Sequence, residues 1–226
     1  MINCSIEDEI AWITINRPEK ANAYSSDMLE ELERIWTNIE RSCTIAIVQS
    51  IGTKAFCAGA DLQEMQAKHH LEALNLHSQH VFDGIARSTV LSIAAIQAPA
   101  IAGGFELTLA CDLRVIAPNV WFALPEVSLG IIPAAGGCTR LHALLGPSIA
   151  TGVILGQQRI SSEQALQWGL AHAQAENPQE YATEWARNIK QFPKDARRLA
   201  KQVLQHPSLE QERLAQTILY GQKHNT

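Results

Sequence analysis

Cysteine is scarce in this chain, and what there is lies scattered. The five thiols (Cys4, Cys43, Cys57, Cys111, Cys138) are odd in number and form no CxxC pair. That excludes a disulfide framework and a zinc ribbon, and predicts reduced, partly buried thiols. No apolar run is long enough to span a bilayer. The opening Met1-Ile2-Asn3-Cys4-Ser5-Ile6-Glu7-Asp8-Glu9 carries acid where a secretory signal needs base. A cytoplasmic protein that does not engage membranes is the expectation. Positive charge is also short: 18 Lys and Arg against 23 Asp and Glu leave a net −5, which argues against a general nucleic-acid binder. Low-complexity tracts are absent, as are repeats recognisable by sequence identity.

Several familiar chemical motifs are incomplete. Ser25 and Ser26 lie in no GxSxG context, so they read as helix caps rather than nucleophiles. Gly52-Thr53-Lys54 lacks the rest of a phosphate loop. His77 and His80 are one helical turn apart but bring no further metal ligands, so an exposed helix with polar histidines is expected and no metal site.

What the chain does have is apolar bulk. Its 226 residues are 46 % hydrophobic and 18 % charged, enough for one large domain, or one domain with a helical appendage. Ala11–Ile15 reads as a strand, ended by Arg17-Pro18-Glu19-Lys20. After a cap at Ser25–Asp27, Met28, Leu29, Leu32, Ile35, Trp36 and Ile39 recur at helical spacing, with Glu30 placed to pair with Arg34. The β-branched run Thr44–Ile51 is a buried strand. Strand, helix, strand suggests an α/β core. A loop over 51–62 follows, with a short helix from Asp61. Leu71–Arg87 reads as a weakly amphipathic helix, Ser92–Ile96 as a strand, the segment from Gly103 through Cys111 as a helix and Leu113–Ile116 as a strand. A turn at Pro133–Gly137 precedes helices over Thr139–Leu145, 147–155 and 161–168, the last capped by Gly169. The core should end near residue 175. Helices Tyr181–Gln191, Lys194–Gln205 and Leu209–Tyr220, separated by Pro193 and Pro207, complete the chain.

Two glutamates in distinctive surroundings carry the chemistry. Glu106 lies in Ile101-Ala102-Gly103-Gly104-Phe105-Glu106-Leu107, and Glu126 in Leu124-Pro125-Glu126-Val127-Ser128-Leu129-Gly130-Ile131-Ile132-Pro133. A glycine turn opening a helix offers free N–H groups. A carboxylate three residues after Gly103 shares its helical face. A second carboxylate nearby would complete a set: N–H donors for a developing negative oxygen and two acids to handle protons. Asp112 and Arg140 read as structural supports, and Met65, Val81, Phe82, Trp121 and Ile132 as core residues or, failing that, as the lining of an acyl pocket.

These segments, together with Ile13-Thr14-Ile15-Asn16-Arg17-Pro18, Ala55-Phe56-Cys57-Ala58-Gly59-Ala60-Asp61-Leu62, Ala110-Cys111-Asp112-Leu113-Arg114, Ala135-Gly136-Gly137-Cys138-Thr139-Arg140-Leu141 and Ala165-Leu166-Gln167-Trp168-Gly169-Leu170, resemble the crotonase, or enoyl-CoA hydratase/isomerase, superfamily over roughly residues 10–220. The resemblance implies an α/β fold: a spiral of ββα units over 1–175 and a C-terminal helical region over 176–226, assembled as a homotrimer or hexamer. It implies an acyl thioester substrate, with coenzyme A or phosphopantetheine as part of that substrate and no separate cofactor. The backbone N–H groups of Ala60 and Gly103 would hold the thioester oxygen, within a substrate-binding loop of Ala58, Ala60, Asp61 and Leu62. Glu106 would deprotonate water and Glu126 would protonate the α-carbon.

The resemblance leaves room for other chemistry on the same scaffold: a Δ3-Δ2 isomerase, a dehydratase or decarboxylase acting on a carrier-protein-held acyl group in polyketide assembly, or a non-catalytic partner subunit. Hydration is the first reading because both glutamates are present. Two departures from the family pattern stand out. Ala102 occupies a position usually glycine, and Gln97-Ala98-Pro99 replaces the usual Asn-Gly; alanine at 98 or 102 would be strained wherever φ must be positive. Family members also run some thirty residues beyond Gln222, which on this chain would mean fewer contacts to adenine.

Overall fold

The computed structural model describes residues 1–67 and 76–224. The chain opens with a hairpin, β1 (Ile2–Glu7) against β2 (Ile10–Ile15). The sequence reading found only the second strand. β1 buries only Ile2, and the turn uses Asp8 and Glu9, both at positive φ, in place of the Asn-Gly that usually marks such turns. Then come α1 (Ser26–Ile39), β3 (Ile45–Ser50), α2 (Leu62–Ala67), α3 (His77–Arg87) and β4 (Leu91–Ile96). The expected helix from Leu71 is seen from His77 onward; its first five residues lie outside the described ones.

In α1, Ser25 Oγ accepts the Met28 N–H, and the six expected apolar residues are all buried. Arg34 approaches Glu31, at 3.9 Å, rather than Glu30. His77 and His80 of α3 both turn to Glu33, at 3.0 and 3.3 Å. No cluster of three metal-ligating side chains exists among the described residues.

Three short strands and two helices build the centre: β5 (Ala100–Ile101), α4 (Gly103–Ala110), β6 (Leu113–Ile116), β7 (Trp121–Ala123), a 3₁₀ turn over Glu126–Leu129, and α5 (Gly137–Ile154). The two helices expected over 139–145 and 147–155 are present and meet end to end in α5 at a break. Gly146 leaves helical geometry at φ 79°, ψ 169°, directly before Pro147. β8 (Ile160–Ser161), α6 (Ser162–Gln167), β9 (Ala173–Gln174), α7 (Pro178–Lys190), α8 (Lys194–Gln205) and α9 (Leu209–His224) follow.

The main sheet runs β1-β2-β3-β4-β6-β9, parallel except for the opening hairpin. Alternate residues feed opposite faces. Ile13, Ala46, Val48, Ala94 and Ile116 join α1, α3 and α4 in the larger core, while Ile45, Ile47, Ile93 and Val115 meet Ala182 and Ala186 of α7. Burial on both faces explains the unbroken apolar runs.

A second layer lies beside this sheet. It is a ladder of short segments: Tyr24 bridges Ala60, Cys57 bridges Ala100, β5 pairs with β7, and β7 with β8. Each turn of chain thus places one strand in the main sheet and one short segment in the ladder, then runs into a helix. This is the ββα spiral. Its repeat is structural and leaves no trace of sequence identity.

The C-terminal region is pinned to the core by Lys201, only 6 % exposed, whose Nζ donates to the Val90 carbonyl at 2.6 Å and to Asp112 at 2.7 Å. Asp112 also accepts from the Ser92 N–H and hydroxyl, so its structural role holds. No helix of the described residues is long and apolar enough to cross a membrane. The described cysteines are all free thiols.

Candidate active site

The spiral carries the ends of three successive ladder segments to one place. Gly59 takes φ 90°, a conformation open to glycine at little cost. A methyl group there would lie 2.8 Å from Ala102 Cβ and 3.0 Å from the Gly103 nitrogen. The 58–60 loop and the start of α4 are therefore in direct contact. Among the described residues, neither the Ala60 N–H nor the Gly103 N–H donates to a protein acceptor. Both are placed on one seam, and α4 adds the positive end of its dipole at Gly103.

The other loop residues are committed to structure. The Ala58 N–H donates to Ala21. Asp61 holds Arg17 at 2.9 Å and accepts the Gln63 N–H, and that N–H, with Arg17 and Lys20 nearby, keeps its carboxyl below the usual range. Leu62 is exposed.

The strain anticipated in this loop is real at one of two positions. Ala102 sits at φ 52°, ψ −131°, where a non-glycine residue costs roughly 1–3 kcal/mol. Its hydrogen bonds hold it there: its N–H donates to Ala123, and its carbonyl accepts from Phe105 and Glu106. Ala98 is buried without positive φ.

Glu106 is buried in α4, all of whose residues are buried. Its Oε1 accepts the Gly137 N–H at 2.8 Å, at the first turn of α5. Burial raises its pKa, opposed by the backbone N–H groups of Gly137 and Ala135 and by Arg140. A methyl group on Gly137 would come within 2.9 Å of that oxygen and 2.7 Å of Pro133 Cβ, so only glycine presents its N–H this closely. Arg140 secures the turn, donating to the Ala135 carbonyl at 3.0 Å and pairing with Asp83 at 3.2 Å.

Glu126 begins the 3₁₀ turn and is 5 % exposed, yet its Oε2 has no hydrogen-bond partner among the described residues. Burial lifts its pKa to about 7, eased by its own backbone N–H and reinforced by the charge of Glu106. Two buried carboxylates thus share one site with unequal support. Buried carboxyls whose proton affinities are raised to different degrees are suited to acid–base chemistry.

A sequence profile of the enoyl-CoA hydratase/isomerase family matches residues 5–224. The chain belongs to the enoyl-CoA hydratase/isomerase family. It is 35 % identical over 205 residues to a short-chain-enoyl-CoA hydratase of Clostridium acetobutylicum, covering 88 % of this chain and 78 % of that protein. An enoyl-CoA hydratase structure from Bacillus anthracis superimposes with TM-score 0.92 at 32 % identity, covering 100 % of this chain and 91 % of that one. A Thermobifida fusca family structure in complex with CoA gives TM-score 0.91 at 27 % identity, covering 100 % and 95 %. The crotonase fold expected from the sequence is the observed one.

Sequence reasoning missed three contributors to this site of the family member. Gly137 and Ala135 were seen only as part of a turn, although a Gly-Gly pair opening a helix could have signalled an N–H donor. Tyr24, whose phenol lies against Gly103, carried no signal at all. Of the residues assigned to the core, Val81 and Phe82 are there. Ile132 is 63 % exposed, Met65 is exposed, and Trp121 is half-buried beneath Arg159, 4.1 Å above its ring. Met65 lies on α2, Trp121 on β7 and Ile132 in the loop before α5, all three outside the core clusters.

Proposed function

We propose that this chain adds water across the double bond of a 2-enoyl thioester, carried on coenzyme A, to give the 3-hydroxyacyl thioester. The observation that carries this reading is the unequal pair, Glu106 and Glu126, beside two unengaged backbone N–H groups. As water attacks the β-carbon, negative charge moves to the thioester oxygen. The Ala60 and Gly103 N–H groups receive it; one such donor is worth about 2.7–4 kcal/mol in comparable sites. Glu106, supported as a carboxylate by the Gly137 N–H, orients the water and takes its proton. Glu126, with an unengaged oxygen and a pKa near neutrality, delivers a proton to the α-carbon. Because the two groups are close, they titrate as a pair. The protein works in the cytoplasm as a homotrimer or hexamer, a reading supported by Leu204 and Leu209, 77 % and 83 % exposed at the α8–α9 junction.

The test is purified protein with crotonyl-CoA. Loss of the conjugated-enoyl absorbance and a product heavier by one water are expected. Folded protein that turns over neither crotonyl-CoA nor a carrier-protein-held enoyl group would end this reading. A product of unchanged mass with a moved double bond would replace it with isomerisation. Sedimentation equilibrium reports the assembly, and a monomer at micromolar concentration would remove the trimer.

A further inference from the structure

The two N–H donors belong to different turns of the spiral, and one residue outside the assigned set reaches both, one through its backbone and the other through its side chain. Tyr24 brackets Ala60 through its backbone: its N–H donates to the Gly59 carbonyl at 2.8 Å, and its carbonyl accepts the Asp61 N–H at 2.9 Å. The Ala60 N–H is thereby fixed in direction without being used. The Tyr24 ring then crosses to the other donor. A methyl group on Gly103 would lie 2.1 Å from Tyr24 Oη, 2.8 Å from Cζ and 2.9 Å from Cε1. The phenol edge therefore rests on the bare α-carbon of Gly103. Its ring meets Phe82 of α3 edge-on, with centroids 5.9 Å apart and planes at 86°, which braces it against turning away. The hydroxyl faces Ser78, and burial together with Cys57, Glu106 and Glu126 keeps it protonated.

We propose that Tyr24 is a positioning residue that sets the separation and aim of the Ala60 and Gly103 N–H groups, coupling two turns of the spiral into one oxyanion site. This inference rests on the two-donor reading above. Tyr24 acts on the donors and not on the acyl group, so its loss should weaken stabilisation of the transition state far more than binding of the substrate.

The experiment compares wild type, Tyr24→Leu and Tyr24→Phe by two readouts. The first is the carbonyl stretch of bound butanoyl-CoA, which cannot be hydrated, carrying ¹³C at the thioester carbon. In wild type the band should move below its free position, because two N–H groups polarise the carbonyl. Tyr24→Leu should return it most of the way. Tyr24→Phe, which keeps the ring edge, should hold most of the displacement. The second readout is turnover of crotonyl-CoA. Tyr24→Leu should lower kcat about 10²-fold, the scale expected of a misplacement near 1 Å, with KM within about twofold, and Tyr24→Phe should recover most of that loss.

A Tyr24→Leu protein with the wild-type band and kcat, or one that loses rate only through KM, overturns the proposal. Should Tyr24→Leu fail to fold, Gly103→Ala presses on the phenol from the other side while keeping the N–H, and a band that stays at the wild-type position there overturns it equally. A wild type that neither hydrates crotonyl-CoA nor shifts the band overturns the two-donor reading itself, and that failure shows before any substitution is made.

Discussion

Glu106 and Glu126 are the same side chain in two differently built regions. Glu106 stands in a helix with no exposed residue, and its Oε1 is held by the first N–H of another helix. Glu126 stands at the head of a single 3₁₀ turn whose neighbours Leu129, Ile131 and Ile132 are exposed, and one of its buried oxygens meets no donor. Both carboxyls are lifted by burial, but backbone N–H groups and Arg140 oppose the rise at Glu106. The difference teaches how one scaffold gives two carboxyls different proton affinities: a fixed donor favours the charged form, and an unpartnered buried oxygen favours the neutral one.

The largest effect should come from breaking both halves at once or singly. Glu106→Gln and Glu126→Gln should each lower kcat by about 10²–10⁴-fold. The double variant should fall well short of the product, because both groups serve one water and one product. Steady-state rates on crotonyl-CoA, with melting curves as controls, decide this. A single variant at near wild-type rate removes that residue from the acid–base pair.

Next in size is Gly137→Ala, which attacks the support and leaves both carboxylates in place. The added methyl group meets Glu106 Oε1 and Pro133, so the turn must shift and the hydrogen bond lengthen. A loss of roughly 10-fold in kcat is expected, near the weaker end of what an acid–base group contributes. The pH–rate profile should move with it, since Glu106 loses a donor that favours its charge. An unchanged profile would mean that the bond does not tune Glu106.

The contrast also predicts a stability signature. Folding lifts the Glu126 pKa to about 7, above the about 4.3 of an unfolded chain. The folded protein therefore holds a proton that the unfolded chain has released between those values. That stabilisation is complete below about pH 4.3 and is lost as pH rises through about 7. Glu126→Gln removes the loss, so its stability relative to wild type should climb across this window, by up to about 4 kcal/mol. Urea melts at several pH values measure it, and a difference flat with pH would show that Glu126 is not perturbed.

The smallest effect is expected at Ala102→Gly. Relief of the positive φ should outweigh the added freedom of the unfolded chain, for a net gain of about 1 kcal/mol. Destabilisation would show that the 102 backbone is unstrained.

Much of this was legible in sequence because it is local. The helical period of Met28 to Ile39, the cap at Ser25 and the buried strands follow from patterns a few residues long. So did the Gly103–Glu106 spacing on one helix face. β1 escaped because a mostly exposed edge strand and a turn without glycine carry weak signals. The exposed positions of Met65 and Ile132 escaped because an apolar residue on a short helix or in a loop reads as core until the place of its segment is known.

The sequence by itself determined the α/β class and the family membership through ordered motifs, and it drew attention to two carboxylates and two glycine-bounded loops as candidates. Only the tertiary structure decided which group supports which. Gly137 reaches Glu106 across 31 residues, and Tyr24 reaches Gly103 from the far end of the ladder. These approaches depend on how successive turns of the spiral stack, through strand register and core packing. Contacts between turns carry no fixed spacing in sequence, so no short-range pattern could encode them.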